Sequence, residues 1–440
     1  MNLRQRTDGM AAVLRGRRGA AVLSIGTLAS GVLAYVFNIL AARTLGAEAY
    51  GPVAILWASV FLVSIVLFRP AEQTLSRGIS DRLARDRDAT AVVRSSVLLV
   101  VGLVCASVLA CIIAWKPLTD GLFDGQPALT VALIAGIVGY AASFTLRGLL
   151  GGVRWFGGYG ALLLADGVVR VVIALPLLFV ASPAVAGAAI GGALVPLMFH
   201  GRRRLREVRR PGVNEPYTPT QAARFGAPVM VVAASDQILV SGGPLLVVLA
   251  GGPGSHLAAG TVFAATMLVR APVFLFQGFA AALLPSLTTL RAIGDGGRFR
   301  RAVWRTIAVL TAFAVLLTLA MLAIGPQLMR AFYGTGFEVT RADLGMLAAG
   351  VGCYLAGSTF SQVALARGAT ARAGFVWALS AIVFIVVELS ATGDAVHRVA
   401  IAFLIATALN AALFVPLVMR REHAPAEATV GAPHGASAAV

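Results

Sequence analysis

The chain is built from apolar stretches of about twenty residues, separated by short polar islands, and this most constrains what it can fold into. A hydrocarbon core of ~30 Å needs about 20 mostly apolar residues in a helix. By that criterion the sequence predicts about twelve spans, at 20–42, 52–77, 95–115, 127–150, 160–180, 184–199, 225–250, 259–284, 303–324, 344–366, 373–389 and 399–418. Runs of this length in lipid satisfy their backbone groups as helices. The expected fold is therefore an all-α polytopic membrane protein. Ordinary soluble domains carry about 25% charged residues, whereas this chain has 12%, with 58% hydrophobic residues. A soluble enzyme, a disulfide-rich secreted module and a disordered chain are all excluded. Cys105, Cys111 and Cys353 sit inside apolar runs, where cysteine behaves as a small hydrophobe. The arginine-rich start and the run at 20–42 imitate a signal peptide. That run is longer than a signal-peptide core and leads directly to a second span, so it is read as a retained first helix.

Net charge is +17, carried by arginines and the single lysine Lys116. In a soluble protein this would point to nucleic acid. Here the arginines flank hydrophobic spans, as the positive-inside rule requires, and no nucleic-acid partner is expected. With the N-terminus inside, only Arg43, Lys116, Arg330, Arg341 and Arg398 fall in outside segments. The expected orientation is N-in and C-in.

The polar islands divide the chain into five parts: a cytoplasmic N-terminal segment (1–19), a six-helix lobe (20–200), a basic cytoplasmic linker (201–224), a second six-helix lobe (225–418) and a disordered cytoplasmic tail (419–440). The linker contains Arg202-Arg203-Arg204 and reads as a solvated, topogenic connection or as a binder of anionic headgroups. Two halves of six spans suggest a parallel repeat, visible only as architecture.

A charge at the bilayer centre costs roughly 2.5–3.5 kcal/mol on insertion scales, so intramembrane charges are the candidate functional residues. They are Arg69, Glu72, Asp166, Arg170, Asp236, Arg270 and Glu388, with Arg77 at a span end. Asp166 and Arg170 are spaced i, i+4, which suits a salt bridge on one helix face. Pro70 lies between Arg69 and Glu72 and should kink the second span. Arg77 can snorkel to the interface; Arg69 lies about 12 Å deeper. Arg270 stands near mid-bilayer with no acid in its own span. Asp236 is the obvious partner, either as a fixed bridge or as a pair that opens when Arg270 takes an anion. Gly242-Gly243-Pro244 should break or hinge the seventh span, and Pro272 bends the eighth.

No catalytic or metal-ligand constellation is present. His200, His256, His397, His423 and His434 are scattered, no P-loop exists to drive an ATP pump, and no large outside loop offers an enzyme site.

The stretch from Gly31 to Gly51, with Asn38, Arg43 and the turn Leu45-Gly46 … Tyr50-Gly51, resembles the opening of polysaccharide-type flippases of the MOP superfamily. Gly325-Pro326 through Phe337 is similar to their outside turn after span nine, and Leu365-Ala366-Arg367-Gly368 to their inside turn after span ten. The resemblance implies a MATE-like fold in which two six-helix lobes alternate access across the cytoplasmic membrane. It implies transfer of a polyprenyl-diphosphate-linked oligosaccharide to the outer leaflet for cell-surface polysaccharide synthesis. No cofactor or metal is implied; an H+ or Na+ gradient, or the membrane potential, would supply the energy. Membrane lipids and a glycan polymerase or glycosyltransferases are the implied partners. Arg270, Arg69 and Arg77 would form the cationic substrate site, since arginine matches phosphate with a planar, permanently charged fork. Asp236, Glu72, Glu388, Asp166 and Arg170 would serve coupling or gating. Sugar recognition would fall to polar positions such as Asn38, Gln237, Gln277, Ser358 and Gln362.

Two neighbouring activities remain as alternatives. A lipid II-type flippase of the superfamily typically has two further helices. A cation-coupled multidrug antiporter of the superfamily tends to use membrane-embedded carboxylates; here span one has no acid and span seven only Asp236. A membrane scaffold without transport is the alternative from another class.

Overall fold

The computed structural model describes residues 3–198, 206, 208–209, 217–252, 254–292, 296–366 and 369–419. Among them all regular structure is helical. Ten helices among the described residues are long and apolar enough to cross a membrane. The expected tail from 420 onward and most of the basic linker lie outside the described residues.

Helix α1 (Leu3–Ala84) spans 82 residues. At 1.5 Å per residue that is about 120 Å, some four bilayer thicknesses. It therefore folds back, and it does so at Gly46, whose backbone (φ 76°, ψ 172°) leaves the helical region. A residue with a Cβ is strained there. The reversal is visible in the packing of its two arms. Phe37 and Trp57 stack with ring centroids 5.0 Å apart, where an unbroken helix would hold them about 30 Å apart. The Tyr50 hydroxyl donates to Asn38 Oδ1 at 3.1 Å across the same turn. The helix continues through Pro52 and Pro70, and Gly46 is the position where its dihedrals break.

Helices α2 (Thr90–Ile113), α3 (Pro127–Gly152) and α4 (Phe156–Ala174) follow. The sixth expected span is a composite: α5 (Pro183–Ala188), 3₁₀ turns over Ala189–Leu194, then α6 (Val195–Met198). Tighter winding rises about 2.0 Å per residue, so this segment reaches roughly 27 Å with few residues. Gly192 permits its close approach to α4, because a Cβ there would lie 2.8 Å from the Asp166 carbonyl oxygen.

The second half comprises α7 (Pro219–Ala250), α8 (Ser255–Ala292), α9 (Gly296–Tyr333), α10 (Arg341–Ala366), α11 (Thr370–Ser390) and α12 (Ala395–Met419). Two expectations are corrected here. Helix α7 begins at Pro219, inside the expected linker. It also runs unbroken through Gly242-Gly243-Pro244. The hydrogen bond Pro244 lacks is a single one, and the flanking turns hold the helix.

The described ends of the linker are docked on the first half. Val208 is buried with Leu75, Ile79 and Val92, and its carbonyl accepts from the Ala89 amide at 3.2 Å. Tyr217 accepts from the Ser95 hydroxyl through its carbonyl, and Arg82 lies over its ring at 5.8 Å. Outward faces are strongly apolar: Leu98, Val101 and Ile113 on α2 and Val315, Leu316 and Leu319 on α9 are exposed. Such a surface is stable only in lipid.

Helix α1 packs on α3 and α4 and also on α7 and α8, so it joins the two halves. They approach closely at Gly51 and Gly260. A Cβ on Gly51 would sit 2.1 Å from the His256 carbonyl oxygen, and one on Gly260 would sit 3.0 Å from Gly51 Cα. Tyr50 adds edge-on contact with Phe337 at 5.8 Å.

Candidate functional site

Between the halves lies a cavity of about 410 Å³, walled by both arms of α1 and by α3, α4, α7 and α8. That size falls within the ~300–1,000 Å³ range of small-molecule sites. Four arginines line it: Arg69, Arg147, Arg170 and Arg270. Their surroundings separate them into two kinds.

Arg170 is neutralised. Its side chain is 2% exposed and its Nη2 donates to Asp166 Oδ2 at 2.7 Å, as the i, i+4 spacing predicts. The same nitrogen donates to the Tyr140 hydroxyl at 2.7 Å, and the guanidinium lies 4.9 Å from the Trp57 ring centre. A buried charge is stable only with such partners.

The other three are unpaired by any carboxylate among the described residues. Arg69 is exposed on the second arm of α1 and makes no hydrogen bond to a described residue. Arg147, at the end of α3, lies 4.9 Å from the Phe144 ring centre, and its Nε has no hydrogen-bond partner. Glu72 is within electrostatic reach of Arg147 and Arg69, yet its Oε1 accepts from the Tyr159 hydroxyl at 2.6 Å. Arg270 donates through Nη1 to the Val240 carbonyl at 3.3 Å.

The expected Asp236–Arg270 bridge is not formed. Asp236 Oδ1 instead accepts from the Tyr354 hydroxyl of α10 at 2.6 Å. The Tyr354 ring is held against Trp377 and Phe403, with centroids 6.1 and 6.5 Å away. This packing presents the hydroxyl to Asp236, and Arg270 lies on the cavity wall.

Of the residues singled out from sequence, Arg69, Arg270, Asp166 and Arg170 line the cavity, whereas Arg77, Glu72, Asp236 and Glu388 are not among its described lining. Arg77 is exposed near the end of α1. Glu388 is buried on α11, with neither carboxyl oxygen hydrogen-bonded among the described residues and Arg398 within electrostatic reach. Arg147 escaped notice because it lies three residues before the end of an apolar span, where an arginine reads as a topogenic charge. Its signal was the absence of any acid in that span.

Among the polar positions, Gln237 faces the cavity with Ser241, whose hydroxyl donates to Gln237 Oε1 at 3.3 Å. Asn38 is structural: its Nδ2 donates to the Ala34 carbonyl at 2.8 Å and its Oδ1 accepts from Tyr50. Ser358 and Gln362 are not among the described lining, and the Gln277 side chain lies outside the described residues. No group of three or more potential metal ligands occurs among the described residues.

The two halves also touch directly beside the cavity, where the Tyr35 hydroxyl donates to the Met267 carbonyl at 3.0 Å. Met267 precedes Arg270 by three residues on α8, so this contact and Arg270 share one face of that helix.

The sequence profile described as "Polysaccharide biosynthesis protein" matches residues 17–291. An uncharacterized protein of Mycobacterium tuberculosis, Rv3630, is 29% identical over 360 residues, covering 76% of this chain and 78% of its own. Two solved structures share the fold. An inward-facing multidrug resistance MATE transporter of the MOP superfamily has a TM-score of 0.64 at 15% identity, covering 90% of this chain and 98% of its own. An outward-facing one has a TM-score of 0.58 at 16% identity, covering 91% and 94%.

Proposed function

The chain belongs to the polysaccharide biosynthesis protein family and has the fold of MOP-superfamily transporters, and from that premise we propose that it is a flippase for a polyprenyl-diphosphate-linked oligosaccharide. In this reading the two halves rock about the cavity in the cytoplasmic membrane, with both termini inside. The carrier's diphosphate moves from one face to the other while held by arginines.

The observation that carries the reading is the charge of the cavity. Arg69, Arg147 and Arg270 face it without a carboxylate partner, and the Asp166 carboxylate is committed to Arg170. Even with Glu72 and Asp236 alongside, the three arginines leave a net positive charge, the sign that a diphosphate diester requires. A guanidinium binds phosphate through parallel N–H donors, and its value rises in a dry site. A cavity built for a cationic drug would carry the opposite sign. Gln237 and Ser241 supply donors and acceptors for sugar hydroxyls. An H+ or Na+ gradient or the membrane potential drives the cycle, and a glycan polymerase or glycosyltransferases act beside it.

Competitive binding to the purified protein in nanodiscs tests the choice of cargo. Farnesyl diphosphate should bind, farnesol should bind far more weakly, and tetraphenylphosphonium should not compete. Preferred binding of the cation would overturn the reading.

A further inference from the structure

We infer that Tyr354 is a positioning residue whose hydroxyl holds Asp236 away from Arg270 and thereby keeps that guanidinium available to an anion. The inference rests on the cationic-cavity reading above and deepens it.

Arg270 and Asp236 are neighbours by architecture. Arg270 already reaches the carbonyl of Val240, and Asp236 is four residues earlier on the same helix, about 6 Å along its axis. A guanidinium on a flexible stem spans that distance by a rotamer change. In a low-dielectric interior an arginine and a carboxylate this close attract strongly. The pair is nevertheless open, and the structure supplies a reason. The Tyr354 hydroxyl donates to Asp236 Oδ1 at 2.6 Å, a charge-assisted bond roughly twice as strong as a neutral one.

Tyr354 is itself fixed. It comes from α10, and its ring is packed between Trp377 of α11 and Phe403 of α12. The competing hydrogen bond is therefore set by the packing of three helices, none of which contributes an arginine to the cavity. Arg270 is within electrostatic reach of the Tyr354 hydroxyl, so the residue stands between the carboxylate it binds and the guanidinium that would compete for it. Without the hydroxyl, Asp236 would turn to Arg270, close the bridge and remove one of three free cations from the wall.

The test measures inorganic diphosphate binding by calorimetry on the full-length protein in nanodiscs. The variants are Tyr354→Phe, Asp236→Asn, their combination, and Arg270→Gln. Tyr354→Phe keeps the ring and its packing, and a thermal melt verifies that the fold is retained. The expected result is about five-fold or more weaker binding in Tyr354→Phe. Wild-type affinity should return in Tyr354→Phe/Asp236→Asn, because the amide no longer competes for the guanidinium. Binding unchanged in Tyr354→Phe, or equally weak in the double variant, would overturn the inference while leaving the cationic cavity standing. Absence of diphosphate binding by the wild type would overturn both.

Discussion

The buried Asp166–Arg170 pair gives a prediction whose size follows from the structure. Arg170 is 2% exposed and anchored by Asp166 and Tyr140, both at 2.7 Å. Replacing Asp166 with Asn changes the charge and almost nothing else. A bulkier residue has no room there, since a Cβ on Gly192 would already lie 3.1 Å from Asp166 Oδ1. Removing one partner of a buried pair costs about 3–5 kcal/mol, because the other charge is left uncompensated. The amide oxygen still accepts one hydrogen bond, which places Asp166→Asn near 3 kcal/mol. Unfolding entropy of ~2 cal/mol/K per residue over 440 residues converts this to a Tm decrease of roughly 3 °C. Fluorescence-detected thermal melting in one detergent reads it directly. The companion variant Asp166→Asn/Arg170→Met removes both charges and should recover at least half of the loss, as replacement of buried pairs by apolar groups does elsewhere. A single variant with an unchanged Tm, or a double variant whose loss equals the sum of the two singles, would refute the coupling.

Other expectations follow from the same geometry. Arg147→Gln forfeits a cation–π contact with Phe144 worth about 0.5–1 kcal/mol and its attraction to Glu72, with no salt bridge or hydrogen bond from its Nε among the described residues, so the protein should still fold yet bind diphosphate at least several-fold more weakly by calorimetry; unchanged affinity would remove Arg147 from the site. Gly51→Val places side-chain atoms where the His256 carbonyl now lies, 2.1 Å from the added Cβ, and should force the two halves apart at that end. A Ser241→Cys reporter in the cavity should then be alkylated faster by a membrane-impermeant reagent added from that side. Tyr35→Phe loses the hydrogen bond to Met267, worth ~0.5–1.5 kcal/mol, and should shift the same reporter in the same direction by a smaller factor. A reporter rate unchanged in both variants would show that these contacts do not hold the halves together.

Much of the architecture is legible in the sequence because hydropathy over twenty residues is a bulk property, insensitive to detail. The turn at Leu45-Gly46 is legible through the resemblance, and the positive φ at Gly46 is the physical reason a glycine stands there. The sixth span was less readable, since no periodicity in the sequence reports a 3₁₀ segment whose Gly192 lies against the Asp166 carbonyl of α4. Within the site, Asp166–Arg170 was readable because both partners lie on one helix. The state of Arg270 was not. Its environment depends on Tyr354, which is 118 residues from Asp236 in the chain, and no spacing rule reports that choice. Arg147 was hidden by its likeness to an ordinary span-end arginine, and only the assembly of α1, α3, α4, α7 and α8 shows that it faces the same space as Arg69 and Arg270. Gly242-Gly243-Pro244 misled in the opposite sense, because helix-breaking residues are tolerated where neighbouring helices restrain the backbone.

The central claim is that free arginines in the inter-half cavity carry an anionic lipid carrier across the membrane. Leaflet exchange of a fluorescent polyprenyl-diphosphate-oligosaccharide in proteoliposomes tests it most directly, comparing the wild type with Arg270→Gln and with Arg69→Gln/Arg147→Gln/Arg270→Gln. The wild type should exchange the lipid, Arg270→Gln should show a strong decrease, and the triple variant none despite normal folding. Exchange at the wild-type rate in a folded triple variant would contradict that claim.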